Sequence, residues 1–553
     1  MLAYPGERTT ERLPGRESLV LALAIPAPLP ASGSPARPRA RAIAGSRGGL
    51  LCGIPIALAV AGWLVPEASP PRAGHETAPP RMARPPFPSA PIVLLTIDTL
   101  RASHMSLYGY ERPTTPRIDR WAAGQLAFTQ AFTPKSSTAP ALASLHTGLY
   151  PFDHGLYHNT LALPAANVTL AEILSRSGYR CGAFVANAVV SDVGFGLDQG
   201  FRDWRSYSHA ASPELLGDAA RWIGARRKGP FLAWIHIADP HSPYTPPPPF
   251  DRKFLGDPFY GRRTGMRARF VKTSPRDGEL NLRDVLGARA IPASVHEGAL
   301  GDYLEAQYDG EVAYTDSLVA PFLAFVRQRF PGALIVLAAD HGESMVEHRE
   351  MFSHGRHCYD TTAWIPLVVS HPALAPGRSD RIVSLVDVLP TLCDLVGVVP
   401  PERSDGVSFA AVVVGGHAAA PEPERMVEVG GGHLRSYAPI GLRSARYKLI
   451  ASPRRAGLIF DDAVRLQLRA TLGPVPERFA RMWRLELYDV KEDPLETVNA
   501  LRAMPDVARE ARDRLWTVIA REESTSATGG ATGAAPEIGA KTMEELKTLG
   551  YVH

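Results

Sequence analysis

Short apolar runs that end in a polar residue place the strongest constraint on the fold of this chain. The first run, PIVLLTI at residues 91–97, is unbroken and is followed by Asp98. Buried strands of parallel sheets have this composition, because both of their faces are covered. Further runs of this kind lie at 181–186, 231–237, 333–338 and 366–370. Helical patterns at 170–177 and 303–328 separate them, so the sequence predicts an α/β domain.

Polar residues follow several of these predicted strands. In open parallel sheets, functional residues collect at the carboxyl ends of the strands. The residues at or just beyond these ends are Asp98, Asn187, Asp239, His241, Asp340 and His341. A packed core does not require this repetition, which therefore indicates a functional site at one edge of the sheet.

The first 88 residues have a different composition from the rest of the chain. They are rich in Pro, Ala, Gly and Arg, which predicts disorder over most of residues 1–88. Within them, 48–66 is apolar, carries no charge and follows several arginines, as in a cleaved export signal or a single membrane anchor. We therefore expect the catalytic part to be periplasmic or extracellular, either free or tethered to the membrane.

Composition also divides the rest of the chain and excludes two classes of function. We predict a catalytic domain at 89–410, a small C-terminal unit at 425–523 with strands at 442–450 and 485–490, and a flexible linker and terminal segment at 524–553. The four cysteines lack C-x-x-C spacing, so neither a zinc knuckle nor a disulfide framework is indicated. Net charge is +4, and no basic block interleaved with aromatics suggests a nucleic-acid partner.

Thr138 opens the segment TAPALASLHTG at 138–148, which predicts a helix with the Thr138 oxygen at its first turn. The free N–H groups and dipole of a helix N-terminus favour an anion. A hydroxyl held there beside a dication can ionise and attack phosphorus or sulfur. Threonine is also a common N-cap and proline a common first helical residue, so the segment taken alone favours a structural role.

The motif DHGE at 340–343 follows a predicted buried strand and contains two good dication ligands, Asp340 and His341. With Asp98 and Thr138 they offer two carboxylates, one imidazole and one ionisable hydroxyl. This set suits a hard or borderline metal that activates an oxygen nucleophile.

Three further histidines have different interpretations. His241 lies in a proline-bounded loop, and His354 lies shortly after DHGE. Each could bind the transferred group, protonate the leaving oxygen or ligate a second metal. His236 alternates with apolar residues in its strand, and we interpret it as structural.

An ordered set of short motifs resembles the sulfatase family of the alkaline phosphatase superfamily. The motifs are LTIDTLR at 95–101, TTPRID at 114–119, the 138–148 segment, YPFDHG at 150–155, DPHSPY at 239–244, DHGE at 340–343, DVLPT at 387–391 and ELYDV at 486–490. The resemblance covers about residues 89 to 550. It implies a doubly wound, mostly parallel sheet with helices on both faces, plus a small C-terminal α+β domain with an antiparallel sheet.

The resemblance also implies roles for individual residues. Asp98, Asp340 and His341 become metal ligands, and Thr138 becomes both nucleophile and ligand. His241 becomes a residue for the substrate group or the leaving group. Two further substrate contacts are implied, because Asn159 resembles an asparagine of related hydrolases and His354 resembles a histidine of the phosphoethanolamine transferases. The metal implied by the family is calcium, whereas zinc or manganese suits the threonine and histidine set better.

Three positions depart from the family pattern. Typical sulfatases carry at position 138 a cysteine or serine that is converted to formylglycine, and threonine is not a substrate of that conversion. Leu142 and Thr99 stand where an arginine and a second aspartate are usual. The aldehyde route is therefore closed, and a threonine ester must be released by water.

These observations predict a metal-dependent hydrolase that cleaves a sulfate or phosphate ester of a small molecule or glycan through Thr138, with phosphodiesterase activity as one form. Two alternatives stay open. One is a membrane-tethered transferase of a phosphoethanolamine-like group, and the other is a non-catalytic member of the family.

Overall fold

The computed structural model describes residues 84–209, 211–226, 229–257, 269–271, 279–281, 299–415, 425–430, 439–453, 483–527, 533–536, 539–540 and 542–543. The predicted signal or anchor at 48–66 lies outside the described residues, as does most of the predicted terminal segment 524–553. None of the helices within the described ranges is both long and apolar enough to cross a membrane.

The strands of the described residues, in chain order, are β1 (Ile92–Ile97), β2 (Leu126–Phe132), β3 (Arg180–Ala186), β4 (Asp203–Tyr207), β5 (Phe231–Ile237), β6 (Arg269–Val271), β7 (Glu279–Asn281), β8 (Leu334–Ala339), β9 (Trp364–Ser370), β10 (Gly377–Ser384), β11 (Val427–Val429), β12 (Ile440–Arg443), β13 (Tyr447–Pro453) and β14 (Trp483–Asp489). The α-helices are α1 (Pro116–Ala122), α2 (Thr138–Thr147), α3 (Pro151–His154), α4 (Leu170–Arg176), α5 (Ala188–Ser191), α6 (Ser212–Gly224), α7 (Leu300–Arg329), α8 (Asp360–Ala363), α9 (Val388–Val396), α10 (Ala410–Gly415) and α11 (Pro505–Ala527). Short 3₁₀ helices lie at Ala102–His104, Ser106–Tyr108, Val193–Phe195, Phe250–Arg252, Glu347–Arg349 and Leu385–Asp387.

An eight-stranded sheet with the order β10-β2-β9-β8-β1-β5-β3-β4 organises the larger domain. All neighbouring pairs are parallel except those of β9, which runs antiparallel to both β2 and β8. Every residue of β1, β5 and β8 is buried. Since successive side chains point to opposite faces, both faces of these strands are covered, as the unbroken apolar runs predict. The predicted mostly parallel α/β fold is confirmed.

The four adjacent parallel strands β8, β1, β5 and β3 end at the same edge of this sheet. The residues that follow them are therefore neighbours in space although they are far apart in the sequence. This edge receives Asp340 after β8, Asp98 after β1, Asp239 shortly after β5 and Asn187 after β3.

A separate antiparallel sheet, β11-β12-β13-β14, forms the C-terminal unit, again as predicted. Its apolar core packs Leu449 and Leu487 against Leu515 of α11. The single strand predicted at 442–450 is instead a hairpin of β12 and β13, because Ser444 donates its backbone N–H to the carbonyl of Tyr447 and reverses the chain.

Candidate active site

Thr138 is the first residue of α2 and is fully buried. Ser137 occupies the N-cap position, so Thr138 does not serve as the cap. The Thr138 Oγ1 atom instead lies 3.3 Å from His341 Nε2. The structure therefore places this hydroxyl where the free N–H groups of a helix meet the residues at the sheet edge.

Asn159 lies beside the start of the same helix. Its Oδ1 atom accepts a hydrogen bond from the backbone N–H of Ala139 at 3.1 Å, and only 8% of the residue is exposed. Because Oδ1 is engaged with the first turn of α2, the Asn159 amide Nδ2 is the group left to donate to a ligand.

The two carboxylates at the sheet edge are each held by one oxygen only. Asp340 Oδ1 accepts from the backbone N–H groups of His341 at 2.7 Å and Thr99 at 3.2 Å. Asp98 Oδ2 accepts from the side-chain amide of Asn187. The other oxygens, Asp98 Oδ1 and Asp340 Oδ2, are buried and have no hydrogen-bond donor among the described residues. They lie 3.9 and 3.4 Å from His341 Nε2, respectively.

His341 and His236 both direct their Nε2 atoms towards the two carboxylates. His341 Nδ1 donates to the carbonyl of Gly342 at 3.0 Å, which leaves Nε2 deprotonated when the ring is neutral. The Thr96 hydroxyl donates to the carbonyl of Ile235 and accepts from His236 Nδ1 at 2.9 Å. His236 Nε2 makes no hydrogen bond with any of the residues that the structure describes, and it lies 3.9 Å from Asp98 Oδ2.

His236 has the geometry of a possible metal ligand, which our interpretation of it as structural does not include. Its ligand atom and those of Asp98 and Asp340 all lie within 4.8 Å of one another, in a fully buried cluster. The sequence pattern missed this because a histidine between apolar residues looks like a core position. The sheet register carries the missing signal, since His236 pairs with Thr96, two residues before Asp98.

The electrostatics of this cluster fit a dication. Burial, and then repulsion from Asp340, raises the pKa of Asp98 well above its usual range, and burial raises the pKa of Asp340 to about 7. Burial lowers the pKa of His236 to about 3, so its ring is neutral at ordinary pH. Two crowded carboxylates and two neutral imidazoles, one of which meets the Thr138 hydroxyl, are a typical ligand set. The mixed oxygen and nitrogen donors suit zinc or manganese better than calcium, which prefers oxygen alone.

A row of histidine rings continues from the cluster. The ring of His354 lies 4.4 Å from that of His341 and 5.1 Å from that of His241, which in turn lies 5.0 Å from His209. Sequence reasoning missed His209, because no motif surrounds it. The site residues named from the sequence, from Asp98 to His354, thus fall into one contiguous region.

His241 and His354 differ in protonation. Burial, His209 and His354 hold the pKa of His241 well below its usual range, and its Nδ1 donates to the Ser242 carbonyl at 2.6 Å. Burial also opposes the charged form of His354, but Glu343, 3.1 Å from His354 Nδ1, outweighs burial and raises the pKa. The pair therefore offers a neutral ring beside a readily protonated one.

The positions that depart from the family pattern are occupied by groups that cannot bind an anion through charge. Leu142 is fully buried in the hydrophobic core. Thr99 is also fully buried and holds Asp340 with its backbone.

Comparison with known proteins places the chain in a family. Residues 91–398, more than half of the chain, match the family model described as Sulfatase. The chain belongs to the sulfatase family. Arylsulfatase A of Bos taurus is 26% identical to this sulfatase over 472 residues, which cover 76% of this chain and 85% of that protein. Arylsulfatase K of Bos taurus is 23% identical over 374 residues, 58% of this chain and 66% of that protein.

Solved structures share the fold of this sulfatase family member. Phosphonate monoester hydrolase of Agrobacterium radiobacter superposes with a TM-score of 0.58 at 18% identity, covering 78% of this chain and 96% of that one. A protein solved in complex with its substrate, D-glucosamine-2-N,6-O-disulfate, superposes with a TM-score of 0.59 at 18% identity, covering 79% and 98%.

Proposed function

We propose that this sulfatase family member is a metal-dependent hydrolase that cleaves a sulfate or phosphate ester with Thr138 as its nucleophile. The observation that carries the proposal is the position of the Thr138 hydroxyl, 3.3 Å from His341 Nε2 and at the start of a helix. It lies beside two buried carboxylates that have inward oxygens without donors. Neither a helix cap nor a packed core accounts for this arrangement.

Asp98, Asp340, His236 and His341 would hold the metal, with Thr138 as a further ligand. A bound dication would lower the pKa of the Thr138 hydroxyl and offset the negative charge of the ester. The nitrogen donors favour zinc or manganese over the calcium implied by the family.

Three residues of the chain have separate roles as nucleophile, general acid and general base. The Thr138 hydroxyl gives up its proton to solvent, its Oγ1 attacks the sulfur or phosphorus atom, and the bond to the leaving oxygen breaks. His354, whose pKa Glu343 raises against the effect of burial, donates a proton to that oxygen. The neutral His241 then accepts a proton from the water that attacks the sulfur or phosphorus atom, and the bond to Thr138 Oγ1 breaks to leave the threonine oxygen deprotonated as before. His241 gives the proton back to His354 through solvent, which restores both rings.

The substrate class follows from the surroundings of Thr138. The N–H groups at the start of α2 and the Asn159 amide suit the oxygens of a tetrahedral anion. The names of the relatives include arylsulfatases, which supports a sulfate ester of a small molecule or glycan. The threonine supports a phosphate ester or diester equally, because an oxygen nucleophile of this kind needs no aldehyde.

We further propose that the enzyme is exported. The proposal rests on the arginines and the apolar segment that precede residue 67.

Substitution of the nucleophile tests the proposal. Thr138→Ala is expected to lower turnover of the best of a panel of sulfate and phosphate monoesters and diesters by about 1,000-fold or more, and Thr138→Ser to retain part of it. The matched control is Thr147→Ala, the same substitution at the other end of α2. Mass spectrometry of quenched wild-type reactions is expected to find a sulfuryl or phosphoryl group on the peptide that contains Thr138. Unchanged turnover of Thr138→Ala would remove this residue from the mechanism.

A further inference from the structure

A short stretch near the C-terminus pairs with the loop that carries Asn159. Gly533 donates its backbone N–H to the carbonyl of Gly155 at 3.0 Å, and Ala162 donates its N–H to the carbonyl of Ala534 at 2.9 Å. Gly155 and Ala162 bracket Asn159 on either side. The loop between them is therefore tied by its two ends to residues that lie almost 400 positions later in the sequence.

The same C-terminal stretch has a second attachment point. Asp192 Oδ2 accepts from the backbone N–H of Gly539 at 3.1 Å and from the Thr542 hydroxyl at 2.9 Å. Asp192 precedes the 3₁₀ helix Val193–Phe195, and Phe195 accepts a hydrogen bond from Leu163, just beyond the Asn159 loop. The second attachment is therefore linked to the end of the Asn159 loop through the hydrogen bond from Leu163 to Phe195.

The contact at Gly533 is so close that it specifies glycine. A Cβ atom at this position would lie 2.2 Å from the Ala162 carbonyl oxygen, which belongs to the backbone and has no rotamer to change. At Gly539 the nearest atom to an added Cβ is Asp192 Oδ2 at 3.7 Å, an ordinary contact. One glycine of the stretch is thus essential to its docking and the other is not.

We propose that the described residues 533–536, 539–540 and 542–543 form a strap that positions the Asn159 loop against the nucleophile helix. Asn159 reaches that helix through one hydrogen bond, from the Ala139 N–H to its Oδ1 at 3.1 Å. A loop tied at both ends loses less conformational freedom when a ligand binds than a free one. The strap therefore affects substrate binding and does not contact the reacting atoms. This inference rests on the proposed function, because it assumes that Asn159 binds the substrate.

Two glycine substitutions in the full-length protein test the strap. Gly533→Ala is expected to raise the hydrogen–deuterium exchange rate of residues 155–163 and to raise KM about 10-fold, with kcat within about 2-fold, as two weakened hydrogen bonds predict. Gly539→Ala, the matched control, is expected to match the wild type in both measurements. Thr542→Val, which removes the hydroxyl donor to Asp192 at the second attachment, is expected to give a smaller change in the same direction.

The outcomes separate this inference from the proposed function. Unchanged exchange at 155–163 in Gly533→Ala overturns the strap, and so does raised exchange with an unchanged KM. If the wild type hydrolyses none of the esters tested, the proposed function fails. The strap can then still be tested by hydrogen–deuterium exchange at 155–163 and by the affinity of each variant for inorganic sulfate, measured by calorimetry. Thermal unfolding of each variant distinguishes a loosened loop from an unfolded protein.

Discussion

Two buried ionic clusters in this molecule differ in how their charges are balanced. In the candidate metal centre, Asp98 and Asp340 face each other and two neutral histidines. Between the two sheets, Asp360 of α8 lies 2.6 Å from Lys448 Nζ and 3.1 Å from Arg443, and Lys448 also lies 2.9 Å from Glu496. We refer to this second group as the inter-sheet cluster.

The difference appears in the ionisation of the aspartates. Burial opposes ionisation of Asp360, but Arg443 and Lys448 outweigh it and lower the pKa to about 2. Burial raises the pKa of Asp98, and Asp340 raises it further. A balanced cluster can hold two domains together by itself, whereas an unbalanced one must be neutralised by bound protons or by a cation from outside the chain. Charge balance therefore distinguishes the inter-sheet cluster from the candidate metal centre.

The same substitution in both clusters tests this comparison most strongly. Asp360→Asn leaves Lys448 and Arg443 short of negative charge and is expected to lower the free energy of unfolding by about 3–5 kcal/mol. Asp340→Asn keeps the acceptor for Thr99 and His341 but removes the repulsion with Asp98, so the metal-free protein is expected to be at least as stable as the wild type. Chemical unfolding in the presence of a chelator measures both.

Metal affinity is expected to separate the variants Asp340→Asn and Asp360→Asn in the opposite sense to stability. Asp340→Asn is expected to weaken metal affinity at least about 100-fold, measured by competition with a chelator, and Asp360→Asn to leave it unchanged. If both variants lost stability and kept the metal, the distinction between the clusters would be wrong.

His236 sharpens the boundary of the metal centre. His236→Gln replaces an imidazole that has a free Nε2 by a weaker amide ligand, so metal affinity is expected to fall about 10–100-fold while the fold is kept. The absorption spectrum of the cobalt-substituted protein is expected to shift, because one nitrogen donor is lost. An unchanged spectrum and affinity would return His236 to a packing role.

His146 provides the control, since it is a buried histidine without hydrogen bonds that lies outside both clusters. Its ring packs 4.2 Å from that of Trp234, and neither ring nitrogen has a hydrogen-bond partner among the described residues. Burial lowers its pKa from 6.5 to about 3. The folded state therefore binds fewer protons than the unfolded state below pH 6.5, and the stability that His146 contributes is lost as pH falls from about 6.5 towards 3.

In the wild type, the free energy of unfolding is expected to fall by about 1.4 kcal/mol per pH unit below 6.5 because of His146, and His146→Leu removes this loss. The variant is expected to have nearly the same free energy of unfolding as the wild type at pH 7.5 and the same metal affinity. Urea unfolding at pH 7.5, 6 and 5 compares the slopes. Equal slopes for the variant and the wild type would mean that His146 is already solvated in the folded state.

Sequence predicted the buried half of the sheet better than its margins. The apolar run 231–237 marks β5 without error, because a strand covered on both faces must be apolar throughout. The margin strand β10, GRSDRIVS at 377–384, alternates less clearly and carries charges, so it was not predicted. The helix α11 continues to Ala527, into the segment predicted as a flexible linker, beyond a contact between Arg521 and Glu428 at 2.7 Å that only the tertiary structure reveals.

The same limit applies to the candidate site. Asp98, Thr138, Asp340 and His341 each lie in a local motif, and the sheet order brings them together. His236 and Gly533 carry no local signal, because their roles depend on strand pairing and on a backbone contact across the molecule. Residue types can be read one segment at a time, but pairings between distant segments cannot.

The reversed strand β9 has a consequence for how this enzyme family can diversify. Because β9 starts at the edge where β8 ends, the chain between Asp340 and Ala363 leaves and re-enters the sheet on one side and needs no crossover helix. That stretch carries His341, Glu343 and His354. Residues inserted between His354 and Asp360 would therefore add contacts beside the site without altering the register of any strand.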